Sequence, residues 1–294
     1  MRVFVAGASG MLGHKVFQTL RNRLDGTVAS IRGRRVDPPY RAIPLLQSND
    51  IAECFDALHL DSVRQQLRSY RPDVVVNCIG VVKQRSASHD PVQTIAVNSL
   101  LPHVMAETCA EWRGRIIHVS TDCVFTGSRG RYAESDVPDA TDLYGRSKLL
   151  GELATPGSLT LRTSIIGREL TQRASLLEWL LSNDGGSVRG FTRAIYSGVT
   201  TNHLAAILAT VITDFPNLNG IYHLAAEPIS KYDLLLLLRA AYGLNLEITP
   251  DDSLVCDRSL LGDKLRAATG YRAPSWPQLI AELASDDTPY RDWR

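Results

Sequence analysis

In the run YGRSKLLGE, Tyr144 to Glu152, a tyrosine and a lysine stand four residues apart, in a chain with 27 arginines and only five lysines. On a helix, residues i and i+4 share a face, so both side chains can point into one cleft. A phenol of pKa ~10 is a poor acid at neutral pH, and an ammonium within ~4–6 Å lowers that pKa. Tyr144 and Lys148 together can therefore hand a proton to an oxygen that is gaining negative charge. The lysine can also hydrogen-bond a ribose hydroxyl. The competing reading is an ordinary amphipathic helix with a packed tyrosine and an exposed lysine. Upstream, the run HVSTDCVF places Ser120, Thr121 and Asp122 where an apolar stretch ends. In doubly wound sheets ligands bind beyond the carboxyl ends of the strands, so a hydroxyl there can orient a substrate carbonyl, and Thr121 is the candidate.

A second motif opens the chain. VFVAGASGMLGHKV carries Gly7, Gly10 and Gly13 at G-x-x-G-x-x-G spacing between an apolar strand and a helix. Glycine permits the tight turn and lets backbone N–H groups approach a pyrophosphate, which the helix N-terminus stabilises. The contacts expected there are Gly7, Gly10, Met11, Leu12 and Gly13. NAD binding calls for a carboxylate roughly 20 residues on, but the chain reads ASIRGRR, with Ser30 and Ile31 followed by Arg32, Arg34 and Arg35. Guanidinium groups suit a 2′-phosphate, which favours NADPH and leaves NADH open. A solvated arginine-rich loop is the alternative. Asp56 stands where it can sit beside the adenine or shape its own loop.

These motifs need a scaffold that brings strand ends together. Short apolar runs (VFVAG, TVASI, VVVNCIG, RIIHVS) alternate with amphipathic stretches from Leu12 to about Arg23 and from about Asn98 to Trp112. Strands this uniformly apolar argue for a parallel sheet covered by helices on both faces. Leu100, Leu101, Val104, Met105 and Thr108 recur at the helical period and are expected to face the core. LTLRTSIIG reads as a further strand, Ala174 to Ser182 as an amphipathic segment, and NDGGSVRGFTR as a loop. TNHLAAILATVIT reads as a helix, GIYHLA as a strand, and KYDLLLLLRAAYG as a helix closed by Gly243.

At 294 residues one large domain, or a main domain with a smaller appendage, is expected. A net charge of +1 gives no electrostatic reason for nucleic acid or an anionic membrane as partner. Five cysteines without C-x-x-C spacing suggest neither a disulfide framework nor a zinc site, and the seven histidines show no ligand spacing. No apolar run approaches the ~20 residues that span a bilayer, and the first residues read as a strand rather than a signal peptide. A soluble, cytoplasmic protein is expected.

Taken together, the glycine motif, the strand-end S-T-D, Tyr-x-x-x-Lys and the later L-R-T resemble the extended short-chain dehydrogenase/reductase family. STDCVFTGSRGRYAESD, YGRSKLLGE and LRTSIIG are similar to the dTDP-4-dehydrorhamnose reductases. The resemblance implies a Rossmann-type doubly wound α/β fold with a smaller C-terminal substrate-binding lobe. Residues 1–167 would form the NADP-binding domain, completed by parts of 196–226, and 168–294 mainly the lobe. It implies hydride transfer from NAD(P)H to the C4 ketone of a dTDP- or UDP-linked 4-keto-6-deoxyhexose, supplying a deoxysugar for surface polysaccharide. By motif, Tyr144 is the proton donor, Lys148 the cofactor-binding lysine and Thr121 the hydroxyl residue, with Asp122 beside it. Cys78, Ile79, Gly80, Asn98 and Ser120 match cofactor-lining positions, although Asn98 reads more simply as a brace for adjacent backbone.

The chain departs from the family where GVVKQRS places Val81, Val82 and Lys83 in a loop that often carries Tyr-Thr, and where Cys123 replaces a tyrosine. The same cysteine argues against sugar 4,6-dehydration, which wants a glutamate there. Candidate substrate residues are Lys83, Arg162, Arg193 and Tyr196, with Arg189, Lys231 and Arg258 as further cations. Ser197 and Thr200 share the segment GFTRAIYSGVTT, and Trp276 reads as a base-stacking or core residue. Two other readings stay open: an epimerase that keeps its NAD(P) bound, and a cofactor-binding regulatory subunit like that of methionine adenosyltransferase. A homodimer is left open.

Overall fold

Val3–Ala6 (β1) and Val74–Asn77 (β4) are almost wholly apolar, Ser158–Thr163 (β6) alternates polar residues with leucine, and each is buried along its whole length. The computed structural model, which describes residues 1–82, 90–171 and 173–293, joins them to Thr27–Ser30 (β2), Ile51–Ala52 (β3), Arg115–Thr121 (β5) and Gly220–His223 (β11). The result is a seven-stranded sheet in the order β11-β6-β5-β4-β1-β2-β3, parallel at every pair. The strand order reverses between β1 and β4. The crevice outside their carboxyl ends is therefore where the fold receives a ligand.

Helices cover both faces. Met11–Arg23 (α1) packs on Thr201–Asp214 (α7), and Leu60–Tyr70 (α2) packs on Leu101–Ala110 (α4). The helix expected from about Asn98 to Trp112 begins earlier. Pro91–Ile95 (α3) runs into a π turn over Ala96–Leu100 and then into α4. The wider turn shifts the helical phase, so Leu101, Val104, Met105 and Thr108 are buried as expected while Leu100 is 49% exposed. Leu143–Leu150 (α5), which carries Tyr144 and Lys148, lies against this turn.

In the second half, Ile165–Ile166 (β7) pairs with Val199–Thr200 (β10). Ala194–Tyr196 (β9) lies between Ile229–Ser230 (β12) and Cys256–Asp257 (β14). The segment read as a glycine- and arginine-rich loop contains a strand, Ser187–Phe191 (β8), parallel to Glu247–Asp251 (β13). Val188 and Gly190 face inward and Ser187 and Arg189 outward, a two-residue alternation concealed by the small and charged residue types. Leu176–Ser182 (α6), Lys231–Tyr242 (α8), Asp263–Thr269 (α9) and Trp276–Ala284 (α10) complete the chain. Gly243 closes α8 at φ 63°. Among the described residues no helix is long and apolar enough to cross a membrane.

The residues after α10 return to α1. Lys15, buried, places Nζ 2.7 Å from Asp286 Oδ2 and donates to Thr288 Oγ1 at 3.0 Å. His14 sits between the Gly10 carbonyl (2.9 Å from Nδ1) and the Tyr290 hydroxyl (2.8 Å from Nε2). Burial works to raise the Asp286 pKa, but hydrogen bonds from Lys15 and Thr288 outweigh it and bring the carboxyl down to about 2. A carboxyl held below its ordinary 3.8 stabilises the folded state above that pH and loses the contribution as pH falls toward 2. The melting temperature of Asp286→Asn is therefore expected below wild type at pH 6, with the gap closing between pH 4 and pH 2. Lys15→Met, which strands the carboxylate, is expected to cost about 3–5 kcal/mol in denaturant unfolding at pH 7.

Candidate active site

Gly7, at φ 93°, turns the chain out of β1, and a Cβ at Gly13 would collide with the Gly7 carbonyl oxygen. Only glycine lets α1 begin this close to the strand. The Gly7 N–H donates to Ser30 Oγ (3.2 Å) and the Ala8 N–H to the Ser30 carbonyl (2.8 Å), so the serine standing where a carboxylate was sought braces the turn. No side chain caps the start of α1 at Gly10. The N–H groups of Met11 and Leu12 thus face outward at the positive end of the helix dipole, an arrangement that fits a pyrophosphate.

Of the three arginines after β2, Arg32 and Arg34 are exposed. Arg35 is engaged: its Nε lies 3.3 Å from Glu53 Oε1 and its Nη1 donates to the Ser48 carbonyl at 3.1 Å. Asp56 shapes its own turn, accepting from the Leu58 N–H at 3.1 Å and pairing with His59 at 3.2 Å.

At the far end of the crevice, the residues after β4 pack under the turn, and a Cβ on Gly7 would lie 2.9 Å from Ile79 Cγ1. A Cβ on Gly80 would come within 3.4 Å of Asn98 Oδ1 and 4.0 Å of Lys148 Nζ, so this loop, the π turn and α5 converge. Asn98 braces the loop: its Oδ1 accepts from the Val81 N–H (2.8 Å), and its Nδ2 donates to the Val81 carbonyl (3.0 Å) and to Ser147 Oγ (3.1 Å). Burial pushes the Cys78 thiol up to about 12. Val81 is buried and Val82 partly exposed. Lys83 lies outside the described residues.

α5 starts at Asp142, whose side chain accepts the Gly145 N–H at 2.8 Å. Tyr144 stands beside Thr121, whose side chain works to lower the phenol pKa. Thr121 Oγ1 also donates to Asp122 Oδ1 (3.2 Å) and accepts from the Cys123 N–H (3.1 Å). The expected lowering of the phenol pKa by Lys148 is not what this arrangement produces. Burial drives the Tyr144 pKa up and the Cys123 thiol adds to it, because Lys148 Nζ is turned to the Val119 carbonyl at 2.8 Å and lies 3.4 Å from His118 Nε2. Burial brings Lys148 down to about 8. It also raises Asp122, against the pull of the Arg258 charge and of hydrogen bonds from Cys123, Thr121 and Ser164. At neutral pH the site therefore offers a protonated phenol beside a strand-end hydroxyl, with a lysine one helical turn away.

Beneath these groups lies a buried polar network. Glu152 binds Arg162 through two contacts (2.8 and 2.7 Å) and accepts from Ser120 Oγ at 2.8 Å, and Arg162 Nη1 lies 3.3 Å from His223 Nε2. Arg162 and Ser120, expected at substrate and cofactor, are thus turned inward to Glu152. Of the other cations, Arg189 pairs with Asp251 at 3.0 Å, and Arg193 is exposed between β8 and β9. Arg258, not ranked above the other cations in the sequence, is the one whose charge acts on Asp122 and Cys123, while its Nε donates to the Phe125 carbonyl at 2.8 Å.

Tyr196 is buried beside the site. Its hydroxyl makes no hydrogen bond of good geometry among the described residues, with Asp122 and Ser164 the polar side chains that act on it. Ser197 accepts from the Leu260 N–H, Thr200 caps α7, and Trp276, donating to the Glu227 carbonyl at 2.6 Å, is a core residue. Glu152 and His118 were missed, although a signal existed for each. Glu152 continues the Tyr144–Lys148 face by one turn, and His118 is a polar residue inside an otherwise apolar strand.

Residues 1–250 match the family described as RmlD substrate binding domain. The chain is similar to the probable low-salt glycan biosynthesis reductase Agl14 of Haloferax volcanii, at 28% identity over 100% of this chain and 99% of that protein. It is likewise similar to methionine adenosyltransferase 2 subunit beta of Danio rerio (28%, covering 83% of this chain and 74% of that one) and to the dTDP-4-dehydrorhamnose reductase of Aggregatibacter actinomycetemcomitans (28%, 81% and 78%). The fold matches a crystal structure of Bacillus anthracis dTDP-4-dehydrorhamnose reductase in complex with NADP, with TM-score 0.79, 18% identity, and 96% and 98% of the two chains covered.

The buried network makes its own prediction. Glu152→Gln leaves the Arg162 guanidinium, 4% exposed, without its counter-charge, and is expected to lower the unfolding free energy in urea by about 3–5 kcal/mol.

Proposed function

The chain belongs to the RmlD substrate-binding family, within the extended short-chain dehydrogenase/reductases, and is a nicotinamide-dependent oxidoreductase of that class; on that premise we propose that it reduces the 4-keto group of a nucleotide-linked 6-deoxyhexose with NADPH. The observation that carries this reading is the placement of Tyr144 beside Thr121 at the carboxyl end of β5, beside the crevice at whose other end α1 opens uncapped. Bound in that crevice, the dinucleotide supplies a hydride.

The chain's own groups do the rest. Met11 and Leu12 offer N–H groups to the pyrophosphate, and Arg32 and Arg34 offer guanidinium groups to a 2′-phosphate. Thr121 holds the substrate carbonyl against the Tyr144 hydroxyl. As charge builds on the carbonyl oxygen, Tyr144 releases its proton to it, and the lysine on the same helix face favours the phenolate left behind. Arg258 and Arg193 meet the diphosphate, and Tyr196 and Asp122 meet the sugar. Residues 1–167 with parts of 196–226 hold the cofactor, and 168–294 mainly hold the sugar nucleotide. The deoxysugar product serves a surface glycan, made in the cytoplasm.

The similarity to the methionine adenosyltransferase subunits favours a second reading, a cofactor-binding regulatory subunit. A pure binding module has no chemical need of Thr121, Tyr144 and Lys148 together. Two measurements separate the readings. Purified protein with NADPH and a panel of dTDP- and UDP-4-keto-6-deoxysugars is expected to oxidise NADPH with at least one, and Tyr144→Phe to lose about 10²–10⁴-fold in turnover while binding NADPH as wild type does. A folded, NADPH-binding protein inert toward the whole panel excludes the reductase. Replacing Arg32 and Arg34 by Ala together is expected to weaken NADPH binding by about 10–100-fold and to leave NADH binding nearly unchanged, as read by fluorescence titration.

A further inference from the structure

His118 is fully buried in the middle of β5 and, among the described residues, has two polar neighbours of hydrogen-bonding geometry. Asn77 Nδ2 lies 3.1 Å from its Nδ1 and Lys148 Nζ lies 3.4 Å from its Nε2. The orientation of the Asn77 amide is set independently, because its Oδ1 accepts the Ile79 N–H at 3.0 Å. What Asn77 turns toward His118 is therefore its NH₂ group, which has only hydrogens to give. Nδ1 must then carry a lone pair, and the one proton of the neutral ring must sit on Nε2, facing Lys148.

This has a consequence for the lysine. An ammonium has three N–H donors and no lone pair, so against Nε2–H it meets donor with donor. A free amine can accept from Nε2–H and still donate to the Val119 carbonyl, 2.8 Å away. We propose that His118 is a positioning residue for Lys148, holding the free amine against β5 and turning the ammonium out toward Tyr144 and the cofactor crevice. The charge state of the lysine thereby selects its direction. On the side of the loop after β4, Gly80 adds no side chain beside Nζ, from which its Cβ would lie 4.0 Å.

Other groups act on the pair. Burial brings Lys148 down to about 8, while Glu152, just past the end of its helix, and Cys78 on the loop after β4 pull it up. Burial, the Lys148 charge and then His103 on α4 hold His118 well below the ordinary histidine range, so the ring stays neutral wherever the enzyme works.

The two NMR measurements use the full chain without cofactor or substrate, so their outcome does not depend on the reductase reading, on which only the turnover profile rests. Ring ¹⁵N shifts of labelled histidine are expected to show His118 protonated on Nε2 and bare on Nδ1; the opposite tautomer overturns the proposal. With ¹³Cε-labelled lysine, five resonances are followed against pH and Lys148 is identified by its loss in Lys148→Arg. His118→Gln, whose amide oxygen can face the ammonium, is expected to raise the Lys148 midpoint by about one pH unit. The alkaline limb of the turnover profile should move by the same amount, with turnover at pH 7 changed less than about threefold. A folded His118→Gln whose Lys148 midpoint and alkaline limb both stay in place overturns it. Where that variant fails to fold, the wild-type tautomer still decides.

Discussion

The arrangement depends on how closely α5 lies on backbone at both of its ends. At its start a side chain on Gly145 would collide with the Cys123 carbonyl, and just past its end one on Gly151 would collide with the Asn98 carbonyl. The helix is thus pressed between the carboxyl end of β5 and the π turn, with backbone rather than side chains setting both distances. Tyr144 reaches Thr121 because of the first approach. Lys148 reaches the β5 backbone because both hold together. The π turn is the complementary adjustment: its wide loop turns Asn98 toward Val81 and Ser147, tying the cofactor-side loop to the same helix at the cost of leaving Leu100 in solvent.

Within that frame, desolvation outweighs pairwise attraction at Tyr144, Asp122 and Lys148. Tyr144 and Asp122 go up and Lys148 comes down, each toward its neutral form, as burial requires. Charge is tolerated only where it is fully answered. Glu152 and Arg162 manage this one layer below, 3% and 4% exposed, by binding each other through two contacts with Ser120 filling a further lone pair. The division suits proton transfer. The phenol of Tyr144 stays protonated until charge develops on a substrate, and the permanent charges of Glu152 and Arg162 are locked one layer below.

Much of this was legible in the sequence, for physical reasons. Apolar runs such as VVVN and RIIHV specify a two-sided parallel sheet through burial alone, and the glycine triplet specifies a corner that no other residue type can make. Periodicity misplaced Leu100 because it assumes a constant pitch, which the π turn breaks. It missed β8 because Gly190 and the outward Arg189 carry no strand signature until β13, some sixty residues away in the chain, supplies the partner. The site residues divide the same way. Tyr144, Lys148 and Thr121 follow from spacing, whereas Glu152 and His118 acquire meaning only from the side chains brought against them.

The arginines show why residue type alone could not rank the substrate contacts. Arg35, Arg162 and Arg168 look as available in the sequence as Arg32, Arg193 and Arg258, but each of the first three meets an acidic partner inside the fold. Arg168 is the most telling. It pairs with Glu178 at 2.8 Å and lies 4.7 Å over the ring of Tyr290, whose hydroxyl meets His14, whose Nδ1 in turn meets the Gly10 carbonyl. A chain of contacts thus runs from α6 through the last residues to the phosphate turn. With the Gly10 carbonyl bound by His14 through both backbone and ring, the peptide leading to Met11 is fixed in orientation, and its N–H points outward before any phosphate arrives. The C-terminal segment therefore belongs mechanically to the proposed cofactor site, although nothing in its own sequence resembles one.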